Sequence, residues 1–248
     1  MSNSSLVDYT ILSPNCTKPR NHKIDTITIH CVVGQCDVRV LGSTFANPNR
    51  RGSSNYGIGK DGKIGLFVEE KDRSWCSSNS ANDNRAITIE VASDTTHPYA
   101  VKPAAYKSLI NLLVDICKRN DIKELKWKGD KSLIGQVDKQ NMTVHRWFAN
   151  KECPGDYLYN RHGQIADEVN ARLNNEIKAP YLIRVSINDL LIRKGPGNNY
   201  ASTGKYTGKG VFTITEERSG QGSNSGWGKL KSGAGWVSLD KVKKIKEV

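Results

Sequence analysis

The segment TVHRWFANKECPG, residues 143–155, places three side chains that could do chemistry close together. His145 and Cys153 are eight positions apart, and Lys151 precedes the cysteine by two. Neutral imidazole and thiolate are both ligands for zinc, and an ammonium group can stabilise an oxyanion. The segment is either an ordinary loop or half of a metal site that another part of the chain completes.

His30 is the candidate for the missing ligand, because it ends the apolar run TITIH. The end of a strand opens onto the edge of a sheet, where sites are commonly built. Three protein ligands would leave a fourth zinc position for water, which zinc makes nucleophilic near neutral pH. The alternative is that the histidines are satisfied core residues and Cys153 is an inert small hydrophobe.

Three further residues could take part in catalysis. Glu90 interrupts the apolar run AITIEVA, so it is either a general base with a raised pKa or one half of a structural ion pair. Lys151 could reach a developing oxyanion, or it is a solvated loop residue. Tyr56 opens a predicted hairpin, and its hydroxyl either hydrogen-bonds an intermediate or belongs to an ordinary strand tyrosine.

The sequence of the first 177 residues predicts the strands and helices that must position these side chains. Buried strands are predicted at 25–33 and 85–93 from their β-branched runs, and a hairpin is predicted at 55–70 around a Lys-Asp-Gly-Lys turn. Apolar spacing predicts amphipathic helices at 102–120 and 163–177. This mixture predicts an α/β domain with a mixed β-sheet flanked by helices.

Residues 178–248 have a different sequence pattern, in which short β-rich runs alternate with turns of Gly, Asn and Ser. We predict a small all-β barrel as a second domain. It contains 13 Lys and Arg against 5 Asp and Glu, whereas residues 1–177 contain 24 against 20. This excess of positive charge favours a polyanionic partner, which could be nucleic acid, anionic lipid or an anionic cell wall.

The six cysteines form no C-x-x-C pair, and the N-terminus shows no basic and apolar secretion signal. We therefore expect free thiols. No apolar run reaches the length of a membrane span, so we expect no membrane insertion.

Residues 1–177 resemble the type 2 N-acetylmuramoyl-L-alanine amidases, a family that includes phage endolysins, bacterial autolysins and peptidoglycan-recognition proteins. The segments that carry the resemblance are TITIHCV, SSNYGIGKDGKIGLFVEE, RSWCSSNSANDNRAITIEVAS and TVHRWFANKECPGD. The resemblance implies that His30, His145 and Cys153 bind Zn²⁺. It also implies that Glu90 orients or deprotonates the attacking water.

The same resemblance implies further roles and one departure. Lys151 matches the residue that stabilises the oxyanion, and Tyr56 matches a tyrosine that assists in some members. Many members have a histidine facing the substrate after the strand-end tryptophan, whereas here Cys76 follows Trp75. This difference affects recognition of the peptide stem rather than the metal centre. We expect Trp75 to contact the cell wall.

Residues 178–248 resemble bacterial SH3 (SH3b) domains through YLIRVSINDL, LLIRKGPGNNYASTGKYTGKG and SGWGKLKSGAGWVSL. The resemblance implies that this domain binds the cell wall, as SH3b domains attached to such amidases do. Three aromatic residues would either pack the barrel or line a binding groove: Tyr200, Trp227 and Trp236.

Together the resemblances imply a zinc-dependent peptidoglycan amidase that causes bacterial lysis, with a non-catalytic peptidoglycan-binding protein as the alternative. A nucleic-acid binder is disfavoured because aromatics are few and no RNA motif is present. Without a visible signal, we expect synthesis in the cytoplasm and release by lysis or a holin. This favours a phage or prophage endolysin of a Gram-positive host over an autolysin. We expect a monomer.

Overall fold

The computed structural model of the protein describes residues 2–174 and 179–245. The chain separates into two compact units, residues 1–174 and 175–248. The boundary expected between residues 177 and 178 lies outside the described residues. No described helix combines the length and the apolar character needed to cross a membrane.

The first unit alternates strands and helices along the chain. Its elements are β1 (Tyr9–Thr10), β2 (Cys16–Thr17), β3 (Thr26–Cys31), α1 (Val38–Ala46), β4 (Tyr56–Ile58), β5 (Ile64–Leu66), β6 (Arg73–Ser74), α2 (Ser80–Arg85), β7 (Ala86–Val91), α3 (Pro103–Arg119), β8 (Met142–Thr143), α4 (Gly155–Tyr159) and α5 (His162–Asn174). Short 3₁₀ turns cover Pro48–Arg50, Lys131–Leu133 and His145–Trp147.

Six of these strands form one mixed sheet in the order β1-β5-β4-β7-β3-β8. Strands β4, β7, β3 and β8 run parallel, and β5 returns antiparallel to β4 as the predicted hairpin. The two remaining strands, β2 and β6, form a separate antiparallel pair. The predicted mixed sheet with flanking helices is therefore confirmed.

The main core lies between the sheet and helices α3 and α5. Ile27 and Ile29 of β3 and Ile87 and Ile89 of β7 are fully buried there, together with Leu109 and other residues of α3. Because successive side chains of a strand point to opposite faces, Thr28, His30, Thr88 and Glu90 lie on the other face. That face carries the candidate site.

The second unit is all β, as predicted. Its strands are β9 (Tyr181–Val185), β10 (Leu191–Arg193), β11 (Ser202–Tyr206), β12 (Gly210–Gly220), β13 (Ser223–Leu230), β14 (Trp236–Ser238) and β15 (Val242–Ile245). They form an antiparallel sheet in the order β11-β10-β14-β13-β12-β9-β15. Within residues 179–245 the end strands β11 and β15 are not paired with each other. The SH3-like barrel therefore remains a prediction.

Candidate metal centre

His30 and Glu90 are neighbours across two parallel strands. They occupy paired positions of β3 and β7, and Gly57 of β4 is the next partner of Glu90. Both side chains stand near the carboxyl ends of their strands, on the face opposite the apolar core. The periodicity of two buried strands therefore places an imidazole beside a carboxyl group.

The segment after β8 brings His145 and Cys153 to the same place. Strand β8 ends at Thr143, and His145 begins a 3₁₀ turn. The backbone N–H of Arg146 donates to the Cys153 carbonyl at 3.0 Å, which closes the loop. The Arg146 guanidinium also forms an ion pair with Asp156 at 3.2 Å. These contacts fix the spacing between the histidine and the cysteine.

The three predicted ligands form a cluster. One ligand atom from each of His30, His145 and Cys153 lies within 4.8 Å of the others. The His30 Nδ1 to Cys153 Sγ distance is 3.3 Å, and the two imidazole centroids are 5.2 Å apart. Tetrahedral zinc holds N and S ligands roughly 3.3–3.8 Å from one another. The donor set and its spacing therefore fit a zinc ion with one further position open.

The protonation of both histidines suits metal binding. Burial lowers the pKa of His30 to about 3 and also lowers the pKa of His145, so both rings are neutral near pH 7. His145 Nε2 lies 3.0 Å from the Ser78 hydroxyl. When Nε2 donates to that hydroxyl, Nδ1 presents a lone pair to a metal. The local sequence around Ser78 does not predict this contact, because His145 is 67 residues away along the chain.

Glu90 faces the cluster with a carboxyl group that is only partly satisfied. Its Oε1 lies 3.9 Å from the Cys76 thiol, and its buried Oε2 has no hydrogen-bond partner. Burial raises the pKa of Glu90 to about 8. His30, Cys76 and Glu90 also have ligand atoms within 4.8 Å of one another. Cys76 thus occupies the position beside the carboxyl group, and burial raises the pKa of its thiol.

A cavity of about 360 Å³ opens onto this cluster. Glu90, His145 and Cys153 line one part of it, and residues of the β3–α1 region and Arg50 line the rest. Cys31 also lines it, and a hydrogen bond from Cys153 lowers the pKa of the Cys31 thiol. The described cysteines are free thiols, as expected. The cavity is large enough to admit part of a peptide or sugar chain to the cluster.

Lys151 lies beside the cluster in an exposed loop. Its positive charge contributes to the lowered pKa of His145, after the larger effect of burial. Its side chain lines a neighbouring cavity of about 290 Å³, together with Arg146 and Asp156. Lys151 is therefore close enough to influence the cluster electrostatically.

Tyr56, the third residue predicted to take part in catalysis, is not brought to the cluster. It pairs with Ile89 on β7 and is fully buried on the core face of the sheet, opposite Glu90. Its hydroxyl donates to Glu70 at 2.6 Å and accepts from the Ser4 backbone at 2.9 Å. Burial raises the Tyr56 pKa above its ordinary value.

The four aromatic residues expected to contact the cell wall differ in the exposed fraction of their side chains. Trp75 and Tyr200 are 36% and 44% exposed, and the Trp75 indole donates to Thr17 at 2.9 Å. Trp227 and Trp236 are 2% and 8% exposed. The structure therefore places Trp227 and Trp236 in packing positions, which is one of the two alternatives that the sequence left open.

The comparisons with known proteins concern mainly the first unit. Residues 20–156 match the family model described as N-acetylmuramoyl-L-alanine amidase. Similar solved structures include a mutant endolysin from Bacillus subtilis, with 17% identity, 66% of this chain and 99% of that chain covered, and a TM-score of 0.48. A selenomethionine derivative of AmpD has 19% identity, covers 66% and 96% of the two chains, and has a TM-score of 0.48.

An endolysin amidase from Clostridium intestinale is also similar, with 17% identity, 70% and 99% of the two chains covered, and a TM-score of 0.41. The search of curated proteins returned no match. The segment matched by the family model covers more than half of the 248 residues and contains His30, Glu90, His145 and Cys153. The chain therefore belongs to the N-acetylmuramoyl-L-alanine amidase family.

Proposed function

We propose that this protein is a zinc-dependent peptidoglycan hydrolase. It would cleave the amide bond between the lactyl group of N-acetylmuramic acid and the L-alanine of the stem peptide. The observation that carries the proposal is the cluster of His30, His145 and Cys153. Glu90, His145 and Cys153 line one cavity beside it. Membership of the amidase family supports the choice of bond.

His30, His145 and Cys153 would hold the zinc, with both imidazoles neutral. A bound zinc ion polarises a carbonyl and makes water a nucleophile near neutral pH. Glu90 takes a proton from the attacking water and gives it to the nitrogen of L-alanine as the C–N bond breaks. The products are the free lactyl carboxyl group and a stem peptide with a free N-terminal amine.

Lys151 would act on the charge that develops during this reaction. Attack on the amide carbonyl places negative charge on its oxygen, and an ammonium group nearby lowers the energy of that state. Lys151 already affects His145 electrostatically, and its exposed side chain is free to turn towards a substrate in the cavity. Its role is electrostatic, since an ammonium group has no lone pair to accept a proton.

The second unit would hold the enzyme on the cell wall. Residues 178–248 have a net charge of +8, which favours a wall rich in anionic polymers. We infer an SH3b-type module in which exposed Tyr200, rather than the packed tryptophans, contacts the wall. With this module the protein would act as a monomeric lytic enzyme, a phage or prophage endolysin that reaches a Gram-positive wall after release from the cytoplasm.

The proposal is tested by digesting purified Gram-positive peptidoglycan with and without a zinc chelator and analysing the products by mass spectrometry. We expect stem peptides with a new N-terminal alanine, lost on chelation and restored by zinc. Cys153→Ser should remove both the bound zinc and the products, whereas Cys16→Ser, which changes a thiol that belongs to neither the cluster nor its cavity, should retain them. New reducing sugar ends would contradict the assigned bond. Wall binding without any products would indicate the non-catalytic alternative.

A further inference from the structure

Cys76 touches the candidate general base, and the proposed reaction gives it no role. Its Sγ lies 3.9 Å from Glu90 Oε1, within reach of a hydrogen bond that involves sulfur. Glu90 Oε2, by contrast, is buried without a hydrogen-bond partner. The thiol therefore holds one oxygen of the carboxyl group and leaves the other without a protein partner.

The contact between Cys76 and Glu90 has a defined direction. A general base must accept a proton, so Glu90 enters the reaction as a carboxylate, which can only accept hydrogen bonds. The Cys76 sulfur must then carry the proton and donate it to Oε1. Burial, followed by the charge of Glu90, raises the pKa of this thiol well above its ordinary value. Because a thiol is a weak donor, it can orient the carboxylate without removing much of its basicity.

The backbone on both sides of Cys76 is anchored. The Trp75 N–H donates to the Ser53 hydroxyl at 3.1 Å, and the Trp75 carbonyl accepts from the Ser53 N–H at 2.9 Å. The Cys76 N–H donates to the Asp83 carboxylate at 3.0 Å, and the Ser77 hydroxyl donates to the same carboxylate at 2.6 Å. Ser53 and Asp83 are both buried. The thiol is therefore carried by a segment that has little freedom to move.

The same segment also reaches the candidate metal ligands. Two positions after Cys76, the Ser78 hydroxyl lies 3.0 Å from His145 Nε2. Ligand atoms of Cys76 and Glu90 lie within 4.8 Å of each other and of one from His30. Cys76 could therefore act through the carboxylate or bind the metal itself. The first role is favoured, because a fourth protein ligand would occupy the position that the attacking water needs.

We propose that Cys76 is a positioning residue for the general base, whose S–H group donates to Glu90 Oε1 and turns Oε2 towards the attacking water. This inference rests on the proposed amide hydrolysis. It assigns Cys76 to the chemical step rather than to recognition of the peptide stem. Contacts that orient the groups of a reactive centre typically contribute about 10–100-fold to activity.

The test compares Cys76→Ala with the wild type in steady-state cleavage of a soluble N-acetylmuramoyl peptide, with zinc content measured on the same preparations. We expect kcat to fall about 10–100-fold while KM and zinc content stay unchanged. Cys16→Ala, which removes a thiol outside the cluster and its cavity, should retain the wild-type kcat. Loss of zinc would make Cys76 a metal ligand, and a raised KM with unchanged kcat would make it a recognition residue. Either result would overturn the inference.

A double-mutant cycle shows whether Cys76 acts through the carboxylate. Glutamine cannot take the proton, so Cys76→Ala should cause little further loss of kcat in the Glu90→Gln background. An equal fold-loss in both backgrounds would indicate a merely structural role and would contradict the proposal. A wild-type protein that released no N-terminal alanine would instead refute the proposed hydrolysis.

Infrared spectra of the zinc-loaded protein observe the contact without turnover. The S–H stretching band of Cys76 is the band that is missing from Cys76→Ala, and a hydrogen bond lowers its frequency. We expect this band to move to higher frequency in Glu90→Ala, because the acceptor is gone. A band at the same frequency in the wild type and in Glu90→Ala would show that the thiol does not donate to Glu90, and the inference would fail.

Discussion

The substitution Glu90→Gln separates proton transfer from metal binding. Burial raises the pKa of Glu90 to about 8, so the metal-free protein carries this carboxyl mostly protonated at pH 7. A neutral glutamine of the same size therefore resembles the resting side chain and should disturb the fold little. Zinc content should also be retained, because His30, His145 and Cys153 are unchanged.

Turnover should fall sharply in this variant. A bound dication would lower the Glu90 pKa and leave a carboxylate able to accept a proton from water, which an amide cannot do. General acid–base catalysis contributes typically 10²–10⁴-fold, or roughly 3–5 kcal/mol of transition-state stabilisation. We expect a loss of this size in the rate of amide cleavage.

The assay is the initial rate of release of N-terminal alanine from peptidoglycan, with zinc content measured on the same preparations. Glu124→Gln is the matched control, since Glu124 is exposed and contributes no atom to the cluster or its cavity. A Glu90→Gln enzyme that retained zinc and cleaved at the wild-type rate would refute the assigned role. Loss of zinc in this variant would show that Glu90 supports the metal instead.

Two further predictions concern stability. Glu70 is fully buried and pairs with Arg119, so Arg119→Ala would leave a buried carboxylate without its ion-pair partner. This variant should lower the free energy of unfolding, measured by urea titration, by about 3–5 kcal/mol. Lys123→Ala, which removes an exposed ion pair, should change it little. Burial lowers the pKa of His162 to about 4, below the 6.5 of an unfolded histidine, so only the unfolded chain gains a proton as the pH falls from about 6.5 to 4. This residue should cost metal-free protein about 2 kcal/mol of stability between pH 7 and pH 5, and His162→Phe should show a correspondingly smaller acid loss.

The fold of the first unit was largely predictable because its strands and helices carry strong local signals. The β-branched runs predicted β3 and β7, and apolar spacing with an early proline predicted α3, which spans Pro103–Arg119. The second unit was predictable only as all β. Barrel closure depends on pairing between strands distant in sequence, which local patterns do not specify.

The site residues were predictable where the signal lies within a single strand or a single loop. His30 and Glu90 stand out as polar residues at the ends of apolar strands, and His145 and Cys153 share one loop. The partners of these residues were not predictable in the same way. Ser78 contacts His145 across 67 positions of sequence, and a hydroxyl in a polar loop gives no signal of that contact.

Tyr56 shows why residue type and nearness to a strand are insufficient evidence for a catalytic role. Its partner across the sheet is Ile89, whereas the partner of Glu90 is Gly57, one position later in β4. Because the side chains of a strand alternate between faces, this single step in register sends the Tyr56 hydroxyl into the core, towards Glu70. It leaves Gly57 as the β4 residue that pairs with Glu90. Register between strands, which a single sequence does not reveal, therefore decided which polar residue could reach the cluster.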